Sequence, residues 1–124
     1  MLTNMPAHTP LPVVDLARAE KFYGETLGLT FIDRNMGGAN YAAGNGTRIF
    51  LYERAATLAD HTVLSFDVSD IEAVVSALKA KDVAFEEYDM GEIKTENGIA
   101  TQGNFKVAWF KDSEGNILGL LSQG

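Results

Sequence analysis

Leu16, Ala19, Phe22, Tyr23 and Leu27 recur at helical spacing behind Asp15, and Ile71, Val74, Val75 and Leu78 do the same behind Asp70. Apolar residues at such intervals form one face of an amphipathic helix. An aspartate just before the first turn accepts hydrogen bonds from its exposed amides. The spacing therefore predicts one helix that starts at Asp15 and stops at Gly28, and another from Asp70 to about Lys81. Strand-like segments precede both, at Thr9 to Val14 and at about His61 to Val68.

After the first helix the pattern alternates with a period of two, over Leu29 to Arg34, Asn40 to Ala43 and Thr47 to Glu53. Gly37-Gly38 and Gly44-Asn45-Gly46 interrupt it and supply residues suited to the positive φ angles of hairpin turns. After the second helix a strand is expected at Val83 to Tyr88. A terminal hairpin follows, Lys106 to Lys111 and Ile117 to Leu121, around Asp112-Ser113-Glu114-Gly115-Asn116, with Gly115 in the left-handed position. Residues 89–103 read as a polar, glycine-bearing mobile loop, with Tyr88, Met90 and Asn97 placed to line a neighbouring cleft.

These elements repeat. Val13-Val14-Asp15-Leu16 and Val68-Ser69-Asp70-Ile71 open the two helices, and nearly half of the 124-residue chain separates them. The expected fold class is α+β, a single domain of two βαβββ modules at about 6–53 and 61–122, joined by residues 54–60. A site between two copies of one module would draw on paired positions.

Composition narrows the chemistry. With 46% hydrophobic residues the chain can bury a core, and the lack of cysteine removes disulfides, thiolate metal sites and cysteine nucleophiles. Met1 to Pro12 has neither the basic nor the apolar region of a secretion signal, and no apolar run approaches the roughly 20 residues of a membrane span. A soluble, cytoplasmic protein without membrane contact is expected. The net charge of −7 repels phosphate backbones, which argues against nucleic acid. It suits either solubility or a cationic ligand.

Leu11-Pro12-Val13-Val14-Asp15-Leu16, Ala19, Phe22-Tyr23, Leu27-Gly28, Val68-Ser69-Asp70 and Phe110-Lys111-Asp112-Ser113-Glu114-Gly115-Asn116 together resemble the vicinal oxygen chelate superfamily. That group includes glyoxalase I, extradiol dioxygenases, fosfomycin-resistance transferases and bleomycin-resistance proteins. The resemblance spans nearly the whole chain and implies curled mixed sheets around a cleft, the modules pairing within a chain or across a dimer. Its shared residues are caps, core positions and a turn, so it specifies fold more closely than activity.

In metal-dependent members of that family four side chains, typically His, Glu or Gln, hold a divalent ion. One lies near the start of the first strand of each module and one on the last strand of each. The matching positions here are His8 and Phe50 in the first module, and Val63 and Gly119 in the second. Phe, Val and Gly offer no donor, so the resemblance implies that this metal site is lost and that no cofactor is required. An improvised set of His8, Glu53 and His61 would need a register slip, because Glu53 has the opposite strand parity to Phe50 and Tyr52.

The ligand-binding cleft is then expected to contain His8, Phe50, Tyr52, His61, Val63, Trp109 and Gly119. His8 is either an exposed strand histidine or a polar contact in that cleft, and His61 stands where the connection enters its strand. Phe50, Tyr52 and Trp109 are either core residues or stacking surfaces for a planar ligand. No serine or cysteine stands at motif spacing from a histidine, so no catalytic residue is assigned.

Aromatic and small residues at the metal positions are similar to the bleomycin-resistance branch, homodimers that sequester a cationic antibiotic unaltered. Met5-Pro6 is similar to the proline with which those proteins exchange an N-terminal strand. The expectation is a metal-independent homodimer that binds a small organic ligand, cationic or aromatic, with antibiotic sequestration as its mode. The competing reading is a lyase, isomerase or dioxygenase that uses a non-standard metal set with His8 and His61. A third, a purely structural or regulatory dimer module, predicts no ligand at all.

Overall fold

The computed structural model describes residues 1–123. They form two compact units, Met1–Thr57 and a second that begins at Leu58. In the first, β1 (Thr9–Val13) leads into α1 (Leu16–Lys21), and β2 (Thr30–Asn35), β3 (Gly38–Ala43) and β4 (Thr47–Glu53) follow. The sheet order is β1-β4-β3-β2, with β1 parallel to β4 and the other pairs antiparallel. That is the βαβββ plan the hydropathy pattern predicts.

Asp15 caps α1 by accepting from the Arg18 amide at 3.1 Å, and the Leu16 amide donates to the Glu53 carboxylate at 2.9 Å. The helix does not run on regularly to Gly28. From Phe22 to Thr26 it widens into a π-helical turn, closed by the Leu27 amide on the Phe22 carbonyl at 2.9 Å. Leu11, Val13, Ala39, Tyr41, Ile49 and Leu51 of the sheet bury themselves with Ala19 and Tyr23 of this helical segment.

The second unit contains β5 (Thr62–Asp67), α2 (Ile71–Lys79), β6 (Asp89–Met90), β7 (Ile93–Glu96), β8 (Ile99–Gln102), β9 (Phe105–Lys111) and β10 (Ile117–Gln123). Its sheet order is β5-β10-β9-β8-β7-β6, with β5 parallel to β10. Asp70 caps α2 through the Ala73 amide at 3.1 Å, and Ile71, Val75 and Leu78 are buried, as are Ala108, Phe110, Leu118 and Leu120 of the sheet. The terminal hairpin turns on Asp112, whose carboxylate accepts from the Glu114 and Asn116 amides and from the Asn116 side chain.

This unit departs from the expected repeat in one region. The strand foreseen at Val83 to Tyr88 is reduced to a bridge between Phe85 and Phe110 and a bond from the Glu86 amide to the Trp109 carbonyl. The cause is competition for an edge: β8 pairs with β9 from Phe105 to Ala108, so the segment after α2 reaches only the end of that strand. The foreseen loop at 89–103 is instead a meander of three short strands. Its β7–β8 hairpin turns at Asn97-Gly98, both at positive φ, as a two-residue primed turn requires.

Candidate ligand-binding site

Alternation along β4 divides its side chains between two faces. Ile49 and Leu51 are buried in the core with α1, which places Arg48, Phe50 and Tyr52 together on the opposite face, all three half-buried. The Phe50 and Tyr52 rings stack at 6.2 Å and 15°. Across the ladder Phe50 pairs with Asn40, Tyr52 with Gly38 and Arg48 with Ala42, while Pro10 and Pro12 of β1 lie beside Phe50 and Tyr52.

Small residues make this arrangement possible. A Cβ at Gly38 would stand 2.6 Å from the Phe50 ring, so the ring can lie over that glycine only because it has no side chain. The preceding turn is carried by Met36 and Gly37 at positive φ, which shifts it by one residue from the expected Gly37-Gly38. Asn40, only 2% exposed, donates to Asp33 at 2.8 Å and to Asn35 at 3.5 Å, and its carbonyl oxygen accepts from the Arg48 guanidinium at 2.5 Å. A stacked aromatic pair thus sits beside an oriented guanidinium on one sheet face. The pattern disclosed the aromatics but not Arg48 or Asn40; their placement on the Phe50 face was the available signal.

In the second unit, Trp109 is half-buried and packs edge-on against Tyr88, at 5.3 Å and 71°. Burial, and then the negative charge of Glu86, push the Tyr88 phenol above its ordinary pKa. Trp109 pairs with Gly119, and a Cβ on Gly119 would meet the Ser65 hydroxyl at 2.7 Å. Ser65 therefore fills the space beside Gly119. Val63 is a half-buried residue of β5.

The two histidines sit differently. His8 is exposed just before β1, and His61 lies just outside β5, its side chain 72% exposed and 3.8 Å from the Asp60 carboxylate. Among the described residues no group of three or more His, Cys, Asp or Glu side chains could hold a metal ion. The register slip needed by the set of His8, Glu53 and His61 does not occur: β4 pairs regularly with β1 and β3 throughout, and the Glu53 carboxylate is engaged by the Leu16 amide. Phe50 stacked on Tyr52, and Gly119 closed over by Ser65, likewise do not fit a metal of the family type.

A groove of about 690 Å³, which the pattern did not foresee, lies in the second unit between α2 and strands β7 to β9. α2 packs on β9 and β10, and β7 and β8 carry the sheet beyond it. Val75 and Ile99 line the groove. Lys79 bridges to the Asn97 carbonyl at 3.0 Å, and Lys106 pairs with Glu72 at 2.6 Å, holding that carboxyl below its ordinary pKa. The Asn97-Gly98 dipeptide, a strong hairpin signal, could have disclosed the strands that form its wall.

A family model described as "Glyoxalase/Bleomycin resistance protein/Dioxygenase superfamily" matches residues 6–120. A comparison with curated protein sequences gave no match. Among solved structures the chain is similar to TnmS3, an antibiotic binding protein from Streptomyces sp. CB03234, with 21% identity, coverage of 100% of this chain and 99% of the other, and a TM-score of 0.72. It is also similar to a lactoylglutathione lyase from Agrobacterium tumefaciens, with 17% identity, 98% and 96% coverage and a TM-score of 0.73. A third likeness is to the oxidase ChaP-H2, with 19% identity, 98% and 95% coverage and a TM-score of 0.74. Identities this low report a shared fold, and a binder, a lyase and an oxidase share it.

Proposed function

The chain belongs to the glyoxalase/bleomycin resistance protein/dioxygenase superfamily, and from that premise we propose that it is a binding protein for a small aromatic molecule that uses no metal ion. The observation that carries this reading is Phe50. It stands where metal-dependent members hold a ligand to the ion, and it is stacked on Tyr52 over the side-chain-free surface of Gly38. Such a surface binds a planar ring by area burial plus about 0.5–1.5 kcal/mol of ring–ring attraction. Trp109 beside Gly119 gives the second unit an aromatic surface of its own.

An antibiotic binding protein shares the fold, and sequestration without turnover is the proposed mode. The reading includes a homodimer, supported by exposed Phe31 and Ile32 on edge strand β2, and a cytoplasmic location. A thermal-shift titration with bleomycin and with neutral 9,10-anthraquinone tests it. A ligand at a hundred times its Kd stabilises the folded chain by about 2.7 kcal/mol, so a rise in Tm that grows with the logarithm of concentration is expected for at least one of them, with an affinity at least tenfold weaker in Phe50→Ala. No rise with either together with no Phe50-dependent binding of an aromatic acid, or a rise that Phe50→Ala leaves intact, would overturn the proposal.

A further inference from the structure

Resting on that binding function, we propose that the ligand is an organic acid: a planar ring lies on Phe50 and Tyr52 while Arg48 binds a carboxylate, sulfonate or phosphate group attached to it. Arg48 shares the face of both rings, and two residues along a strand place it about 7 Å from Phe50. That separation suits an acidic substituent on a one- or two-ring system.

The partner of Arg48 makes the case. The chain carries 17 acidic and 10 basic residues, and Arg34, Lys106 and Lys111 each pair with a glutamate. Arg48 instead donates to the neutral amide oxygen of Asn40. The nearby carboxylate, Asp33, is turned to the other end of that amide and accepts from its nitrogen. Among the described residues no carboxylate pairs with Arg48, and one bond to Asn40 leaves most of its five N–H donors for an incoming anion.

The amide also orients the guanidinium. Asn40 is buried, and its nitrogen is committed to Asp33 and Asn35, so its oxygen is held toward Arg48. A planar donor fork held in place loses little freedom when it takes up a carboxylate in two parallel bonds. Ala42, paired with Arg48 across the ladder, has only a methyl group there. The overall charge of −7 favours cations at a distance, whereas on this face the Asp33 carboxylate is taken up by the Asn40 amide and the remaining donors of Arg48 select an anion.

Three naphthalene probes of matched shape test this by calorimetric titration: 2-naphthoate, 2-naphthamide and 2-naphthylmethylammonium, each up to millimolar concentration. The wild-type chain is expected to bind the carboxylate at least tenfold tighter than the amide, and the ammonium most weakly. Arg48→Gln, which can still donate to Asn40, should remove that preference while changing amide affinity by less than twofold. Arg48→Lys, which keeps the charge, should retain part of it. Preference for the amide or the ammonium, a carboxylate preference that survives Arg48→Gln, or a Lys variant no better than the Gln variant would overturn the organic-acid assignment. With Phe50-dependent binding of any probe, the binding function would stand. No binding of any of the three would overturn the organic-acid assignment, and, with no rise in Tm from bleomycin or anthraquinone, the binding function as well.

Discussion

Tyr41 ties three elements of the first unit together through one hydroxyl. The phenol donates toward the backbone carbonyl and the carboxylate of Glu20 at 3.4 and 3.3 Å. That carboxylate also takes Arg34 at 2.7 Å, and the guanidinium lies 4.7 Å over Phe31, itself edge-on to Tyr41. Burial first, then the charge and hydrogen bond of Glu20, push the phenol above its ordinary value of 10.0, against a smaller opposite pull from Arg34. Because the folded state disfavours the phenolate, this contribution to stability is complete below the unfolded pKa near 10 and is lost as pH rises from there through the folded value. Tyr41→Phe should therefore unfold with a shallower loss of stability above pH 10 than the wild type. The difference in slope is bounded at about 1.4 kcal/mol per pH unit for one proton. Urea unfolding at pH 8, 10 and 11 measures it, and parallel pH profiles for the two chains would refute the account.

The turn between β9 and β10 depends on a single side chain. Asp112, 6% exposed, accepts at 2.8 Å from the amides of Glu114 and Asn116 and at 2.9 Å from the Asn116 side chain, which is 4% exposed. Asp112→Ala takes this acceptor away from all three donors, at a cost of about 2–4 kcal/mol. The expected result is an earlier urea midpoint at unchanged m-value; a loss below about 1 kcal/mol would mean that water replaces the carboxylate. This turn, both aspartate caps and the β2–β3–β4 alternation were legible in the sequence because their partners lie within a few residues or follow from strand parity. Of the β6–β8 meander only the Asn97-Gly98 turn was legible. Val83 to Tyr88 carries as good a strand pattern as Ile99 to Gln102, and pairing with the edge of β9 chose between them.

At the scale of the whole molecule the proposed independence from metal ions is the feature to measure. Protein purified without chelators should contain no stoichiometric metal, and nickel, zinc, manganese and iron should leave Tm unchanged, because a metal that binds the folded state must stabilise it. A rise with any of them that grows with metal concentration would show a donor set other than the four family positions. The sequence by itself determined the α+β class, the two helices with their caps, the family likeness and the absence of donor atoms at Phe50, Val63 and Gly119, since these rest on residue identity and local periodicity. Only the tertiary structure decided that Ser65 closes the space beside Gly119, that Glu53 is bound to the start of α1 and that Asn40 holds Arg48 beside the Phe50–Tyr52 stack. Each of those depends on which strands become neighbours and in what register. Competition among many possible edges sets that register, and no short stretch of sequence contains its outcome.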